Sequence, residues 1–159
     1  KLLAQFNYGT RQHAVDAYQE SLQMKGDIEA GKKVYIENCS KCHMLQGAGF
    51  AVGPDLSTVS NAGAEKILVN ILDPNREVNP QYMNYTIETD DLATHSGVIA
   101  SESATSITLK RANGETDTIL RVNIENIRSE NLSIMPEGWE EAINKQQMAG
   151  LIAYLTSIK

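Results

Sequence analysis

The chain has 159 residues, 42% hydrophobic and 21% charged, with 14 Lys and Arg against 20 Asp and Glu for a net charge of −6. That length suits one cored domain with room for an embellishment, and the composition is that of an ordinary globular chain. The acidic balance, with a pI of about 5.0, argues against nucleic acid or an anionic membrane as partner and favours a basic docking face instead. No apolar run is long enough to span a bilayer, and no basic-plus-apolar signal opens the sequence. Lys1-Leu2-Leu3 reads as a cut point, the start of a mature chain or of an excised domain.

Residues from about Thr10 to Lys25 carry a helical pattern, with Ala14, Val15, Tyr18, Leu22 and Met24 toward one side. Residues 1–25 are therefore expected to be a leader helix or the tail of a preceding domain, and His13 reads as an exposed or capping residue. Gly26-Asp27 then offers an N-cap for a helix from Ile28 to about Cys39. Gly31 and Tyr35 fall on one face of it. A glycine inside a helix costs about 1 kcal/mol, so another backbone is expected to approach closely at Gly31.

The helix runs into Cys39-Ser40-Lys41-Cys42-His43, the spacing of a c-type haem attachment site. Two thiols three positions apart can each add across a haem vinyl group, and the following imidazole can ligate the iron from below. The same Cx2C spacing serves redox disulfides and half of a zinc site. Zinc would need two further ligands, and only His13 and His95 remain, far apart in sequence. A redox motif would follow a strand in a βαβ unit, whereas a helical pattern precedes this one. Covalent haem fits best, and its attachment chemistry implies a periplasmic or otherwise exported protein.

A loop is expected from Met44 to Val52, then Gly53-Pro54-Asp55-Leu56. Two jobs are needed here: a carbonyl to accept from the second ring nitrogen of His43, and an apolar side chain against the haem. Pro54 and Leu56 are the candidates. Gly63 to Leu72 reads as a short amphipathic helix ended by Asp73-Pro74. Asn75 to Tyr85 is polar and irregular; Arg76, Asn79, Tyr82, Asn84 and Tyr85 could reach haem propionates or simply make loop hydrogen bonds. The periodicity then changes to two, predicting strands at about 85–89, 95–101, 105–111, 116–121 and 123–128, with a hairpin turn at Asn113-Gly114. This is expected to be a compact antiparallel sheet or small SH3-like barrel, with His95 at its surface or edge. Ser133 to Trp139 reads as a Pro- and Gly-rich loop, and Asn144 with Gln147 offers a capping box for a last helix lined by Met148, Leu151, Ile152 and Leu155.

On these residues the chain resembles the class I cytochromes c: a helix ending in CxxCH, Gly53-Pro54-Asp55-Leu56 after it, a methionine loop, and Leu151-Ile152-Ala153-Tyr154-Leu155 in the final helix. The resemblance covers about 26–84 and 130–159 and implies a mainly α fold, interrupted by a small β insertion at 85–129. It implies that Gly31 and Tyr35 meet Leu151 and Tyr154. Ser133-Ile134-Met135-Pro136-Glu137-Gly138 is further similar to the haem-binding domains of planctomycete and verrucomicrobial proteins, which sit behind dehydrogenase or repeat regions.

The sixth iron ligand has Met44, Met83, Met135, His13 and His95 as candidates. Met44 adjoins His43 and cannot reach the opposite haem face. Met135, before a stiffening proline, stands where the resemblance puts the distal methionine, with Met83 or a histidine as rivals. The implied function is one-electron transfer through haem c with His43 and Met135 as axial ligands, serving a fused or partner dehydrogenase. The alternative is a haem sensor or peroxidase-like site whose sixth ligand is weak or absent. The insertion is expected to be either a docking module or a structural cover.

Overall fold

The computed structural model describes residues 11–159, so Thr10 and the residues before it lie outside the described part. The chain forms two compact units. One contains the described residues up to Asn38, with Leu56–Glu77 and Pro136–Lys159; the other contains Cys39–Asp55 and Val78–Met135. Residues 39–55 thus group with the strands and residues 56–77 with the helices.

The first unit is helical. Helix α1 spans Gln12–Tyr18 and continues as a tight turn over Gln19–Leu22. Ala14, Val15 and Tyr18 are buried, and His13 is exposed. The Tyr18 hydroxyl donates to the Ile143 carbonyl at 2.8 Å, with that of Glu140 at 2.9 Å. Arg11 pairs with Glu140 and donates to the Leu72 carbonyl. Residues 11–22 are thus tied into this unit by side-chain hydrogen bonds. Helix α2 spans Ile28–Val34, its first turn capped by Asp27, whose carboxylate accepts from the Ala30 amide at 2.8 Å. It then widens into a π-turn at Tyr35–Cys39, a local form often found next to functional residues.

Helix α3 spans Ala64–Leu72 and buries Ile67, Leu68, Ile71 and Leu72. A short helix α4 spans Trp139–Ala142, so the stretch expected to be loop ends one residue earlier. Its Gly138 sits in the left-handed region and directs the chain into that turn. Helix α5, Lys145–Ser157, starts with the full capping box of Asn144 and Gln147 and buries Met148, Leu151, Ile152, Tyr154 and Leu155. Each such large side chain contributes roughly 1.5–3 kcal/mol through lost water contact. No helix among the described residues is long and apolar enough to cross a membrane.

Helices α2 and α5 meet at two glycines. A Cβ on Gly31 would lie 1.9 Å from the Gly150 carbonyl oxygen and 2.8 Å from the Leu151 amide. The rings of Tyr35 and Tyr154 lie 5.9 Å apart, tilted at 50°. The close approach at Gly31 is therefore made mainly to Gly150, with Leu151 next to it.

The second unit holds a two-residue-strand hairpin, β1 (Met44–Leu45) with β2 (Ala48–Gly49), inside what reads from sequence as plain loop. Gln46 and Gly47 turn it with φ of 51° and 79°. It also holds a five-stranded antiparallel sheet: β3 (Met83–Thr89), β4 (Thr94–Glu102), β5 (Ser106–Lys110), β6 (Thr116–Leu120) and β7 (Ile124–Ser133) in the order 6-5-4-3-7. Ile87, Ile107, Leu109 and Ile119 form its core, with Tyr85, Ile99 and Ile124 packed on it. The sheet is longer than the expected 85–129 insertion, and the fold is correspondingly less dominated by helix than "mainly α". The extension arises because Met83 pairs with Ser133 across a register shift. Most of β7 is exposed, so its far end carries no alternating apolar signal.

Strands β6 and β7 lie at opposite edges of the sheet yet are joined by only Arg121–Asn123. Five flat strands would put those edges about 19 Å apart at ~4.8 Å per strand. A connection of that length reaches at most about 14 Å. The sheet must therefore curl on itself.

Gly31→Ala forces a methyl into the Gly150 carbonyl and is expected to destabilise the protein by at least about 3 kcal/mol, since the obstacle is backbone and cannot rotate away. Denaturant unfolding against wild type checks this, and a loss below about 1 kcal/mol would contradict the contact.

Candidate haem-attachment site

Cys39 closes the π-turn, and the backbone then folds back tightly. The Cys39 carbonyl accepts from the amides of Cys42 (3.1 Å) and His43 (2.9 Å), that of Ser40 from Phe50 (3.0 Å), and that of Cys42 from Val52 (3.0 Å) and Gly53 (2.7 Å). The Lys41 carbonyl accepts from Asn113, 2.7 Å away at the tip of the β5–β6 turn. All four consecutive carbonyls of the CxxC segment are thus engaged, as a fixed loop requires.

Both cysteines are free thiols and partly buried. Burial, with Cys42 beside it, pushes the Cys39 thiol up to about 12. Burial also raises Cys42, partly offset by Lys41. Among the described residues no group of three or more His, Cys, Asp and Glu side chains is arranged to hold a metal ion.

His43 Nδ1 donates to the Pro54 carbonyl at 2.8 Å. A carbonyl has no proton to give, so the hydrogen sits on Nδ1 and the neutral ring keeps its lone pair on Nε2. That is the tautomer a metal-binding imidazole needs. Gly53 lies against the ring: a Cβ there would stand 2.7 Å from Cε1 and 3.1 Å from Nδ1. Sequence reasoning does not single out Gly53 for this role; its place one residue before the accepting carbonyl is the available signal. Burial lowers the His43 pKa, against the raising effect of the Pro54 bond.

Two cysteines three apart, a following imidazole with its lone pair on Nε2, and a glycine that leaves room for the imidazole ring together fit covalent haem c. Cys39, Cys42, His43, Pro54 and Met135 fall in one compact unit, and Leu56 in the other. Leu56 is half-buried, with its carbonyl accepting from Val59 at 3.0 Å. Met135 is half-buried, its amide donating to Ser133 Oγ at 3.1 Å.

The rival ligands sit in other arrangements. Met83 Sδ accepts from Ser129 Oγ at 2.8 Å. His95 lies 3.2 Å from Asp117, which Arg111 also pairs. Of the possible propionate partners, Arg76 is held by Asp73 (2.9 Å) and Gln12 (2.6 Å), and the Asn79 side chain caps the Gln81 amide at 3.0 Å.

Residues 28–94 are similar to the cytochrome c family, whose model they match. The chain is also similar to a cytochrome c-553-like protein from Synechocystis sp., at 32% identity over 69 residues, covering 39% of this chain and 65% of the relative's length. The family match stops at Thr94, so Met135 lies beyond it.

Two outcomes follow from the His43 geometry. In the haem-free chain, His43 is expected to titrate below the usual value of about 6.5. The unfolded chain then binds more protons between the lowered folded pKa and 6.5, so stability rises with pH through that window and is lost as pH falls through the folded value. Imidazole NMR titration and unfolding midpoints across that range check the sign. Gly53→Ala should displace the ring from Pro54 and abolish the slowly exchanging Nδ1–H resonance, which a nitrogen-filtered NMR spectrum would show directly.

Proposed function

We propose that the chain is a one-electron carrier of class I cytochrome c type, with haem joined to Cys39 and Cys42, His43 Nε2 as proximal ligand and Met135 as distal ligand. The observation that carries this reading is the His43–Pro54 hydrogen bond, which fixes the tautomer and orients the imidazole. When bound, the haem supplies a one-electron iron couple, and a His/Met ligand pair favours the ferrous state. The residues would do the rest: Cys39 and Cys42 would hold the ring covalently, Pro54 and Leu56 would pack on it, and Met135 would ligate the iron.

Support for Met135 comes from its own loop and from the competition. Pro136 stiffens the chain after it, and Ser133 fixes its amide. Met83 already offers its sulfur to Ser129, His95 pairs with Asp117, and His13 is exposed on α1. In this reading 26–84 and 130–159 form the haem domain, and 85–129 is an SH3-like insertion within it. The similarity of the Met-Pro segment to planctomycete and verrucomicrobial haem-binding domains supports a fused or partner dehydrogenase as electron source. The net charge of −6 supports a basic docking face on that partner. Haem attachment chemistry supports a periplasmic or otherwise exported setting.

The oxidised protein is expected to be low-spin with the weak far-red Met–Fe charge-transfer band. Met135→Ala should abolish the band and Met83→Ala should leave it intact. Survival of the band in Met135→Ala would move the sixth ligand elsewhere. A high-spin wild type that takes up carbon monoxide or peroxide would replace the electron-carrier reading with a sensor or peroxidase-like site.

A further inference from the structure

We infer that the β5–β6 turn is a positioning element for the haem-attachment loop, an inference that rests on the haem reading of Cys39, Cys42 and His43. Three contacts carry it. The Asn113 amide donates to the Lys41 carbonyl at 2.7 Å, the bond that engages the central carbonyl of the CxxC segment. Gly114 lies on the Phe50 ring so closely that a Cβ there would stand 2.9 Å from Cδ1. Lys110, the last residue of β5, donates from Nζ to the Ala51 carbonyl at 3.3 Å.

The turn is built for this. Asn113 and Gly114 both take left-handed conformations, with φ of 61° and 68°, which Asn and Gly tolerate best. Around them Arg111 and Glu115 close the turn through a backbone bond of 2.9 Å and a side-chain pair at 3.1 Å. Below it β5 and β6 run in unbroken register from Lys110↔Thr116 to Ser106↔Leu120, anchored by buried Ile107, Leu109 and Ile119. The tip is therefore a stiff rod end rather than a loose loop. It meets the loop at the Lys41 carbonyl, the Phe50 ring and the Ala51 carbonyl, beside the amides of Phe50, Val52 and Gly53 that hold the carbonyls of Ser40 and Cys42. Movement of the tip is transmitted to the Cys42 and His43 amides through that closed set of bonds.

The test uses the haem-loaded full chain. Asn113→Val places a β-branched residue at φ 61° and should lift the tip off Lys41. Leu92→Val strains the β3–β4 turn in the same way, at φ 68° on a side chain 90% exposed, and serves as the control. The readouts are amide hydrogen exchange at Cys42 and His43 and the haem-methyl shifts of the oxidised protein. Asn113→Val is expected to speed exchange at both amides roughly tenfold and to displace the haem-methyl shifts, with Leu92→Val matching wild type. No change in either variant, or the same change in both, overturns the inference. Should Asn113→Val not fold, the wild type decides. An Asn113 amide protected to the level of the β5–β6 ladder supports the contact, and exchange at the rate of an open loop overturns it. Absence of covalent haem from wild type would defeat the haem reading, while Asn113 protection in that haem-free chain would still decide the contact.

Discussion

The 2.8 Å hydrogen bond from His43 Nδ1 to the Pro54 carbonyl is the constraint around which the second unit is arranged. It requires the chain to leave His43 and return to the same ring eleven residues later. The β1–β2 hairpin provides that return, reversing at Gln46-Gly47 so that Phe50, Val52 and Gly53 come back against Ser40 and Cys42. Gly53 then has to be a glycine, because any side chain would occupy the space of the imidazole. Proline next in line adds an accepting carbonyl while offering no amide that would need its own partner. Tautomer, ring position and loop closure are thus consequences of one bond.

Within the helical unit the corresponding constraint is steric. Gly31 and Gly150 let two backbones touch, and the aromatic pair Tyr35–Tyr154 fills the space one turn further along, where the π-turn begins. The Asn144–Gln147 capping box fixes where α5 begins and therefore which of its residues reach Gly31. A Cβ at position 150 would itself stand 3.0 Å from the Asp27 carbonyl oxygen and 3.3 Å from the Gly31 amide nitrogen, so the contact favours glycine on both helices. Local capping and distant packing therefore specify the same register, the kind of agreement between levels that gives a sequence one structure.

Much of this was legible in the residues themselves. The caps at Asp27 and Asn144, the α3 stripe of Ile67, Leu68, Ile71 and Leu72, and the strand alternation around Ile107, Leu109 and Ile119 are local signals, and each element appears where its pattern lies. The Asn113-Gly114 turn was equally plain, because positive φ at two successive positions restricts the residues that can serve. Less visible were features set by partners distant in sequence. Ser129–Ser133 joins the sheet through pairing with Met83, not through any alternation of its own. The choice of Gly150 over Leu151 as the neighbour of Gly31 depends on the rotation of α5. Gly53 shows its purpose only once the His43 ring stands beside it. The destination of the Asn113 amide has no sequence signature at all, since any hairpin tip exposes a backbone N–H.

A curled sheet is well suited to holding a short loop from a distance. Strand register is quantised: a slip of one residue in β5 would turn Ile107 and Leu109 out of the core and Thr108 into it. The position of the tip is therefore fixed by apolar burial several residues away, where the penalty for slipping is large. The connection Arg121–Asn123 adds a second restraint by tying the β6 edge to β7, while β7 is paired with β3 and β3 with β4. A single helix could place one amide near Lys41 but would be free to rotate or slide by small amounts about its packed face. The β5–β6 ladder cannot do so without breaking pairs in sequence from Lys110↔Thr116 downward. Precision at Lys41 thus derives from the core around Ile87, Ile107, Leu109 and Ile119, and the sheet's hydrophobic interior becomes part of what keeps the cysteine loop in place.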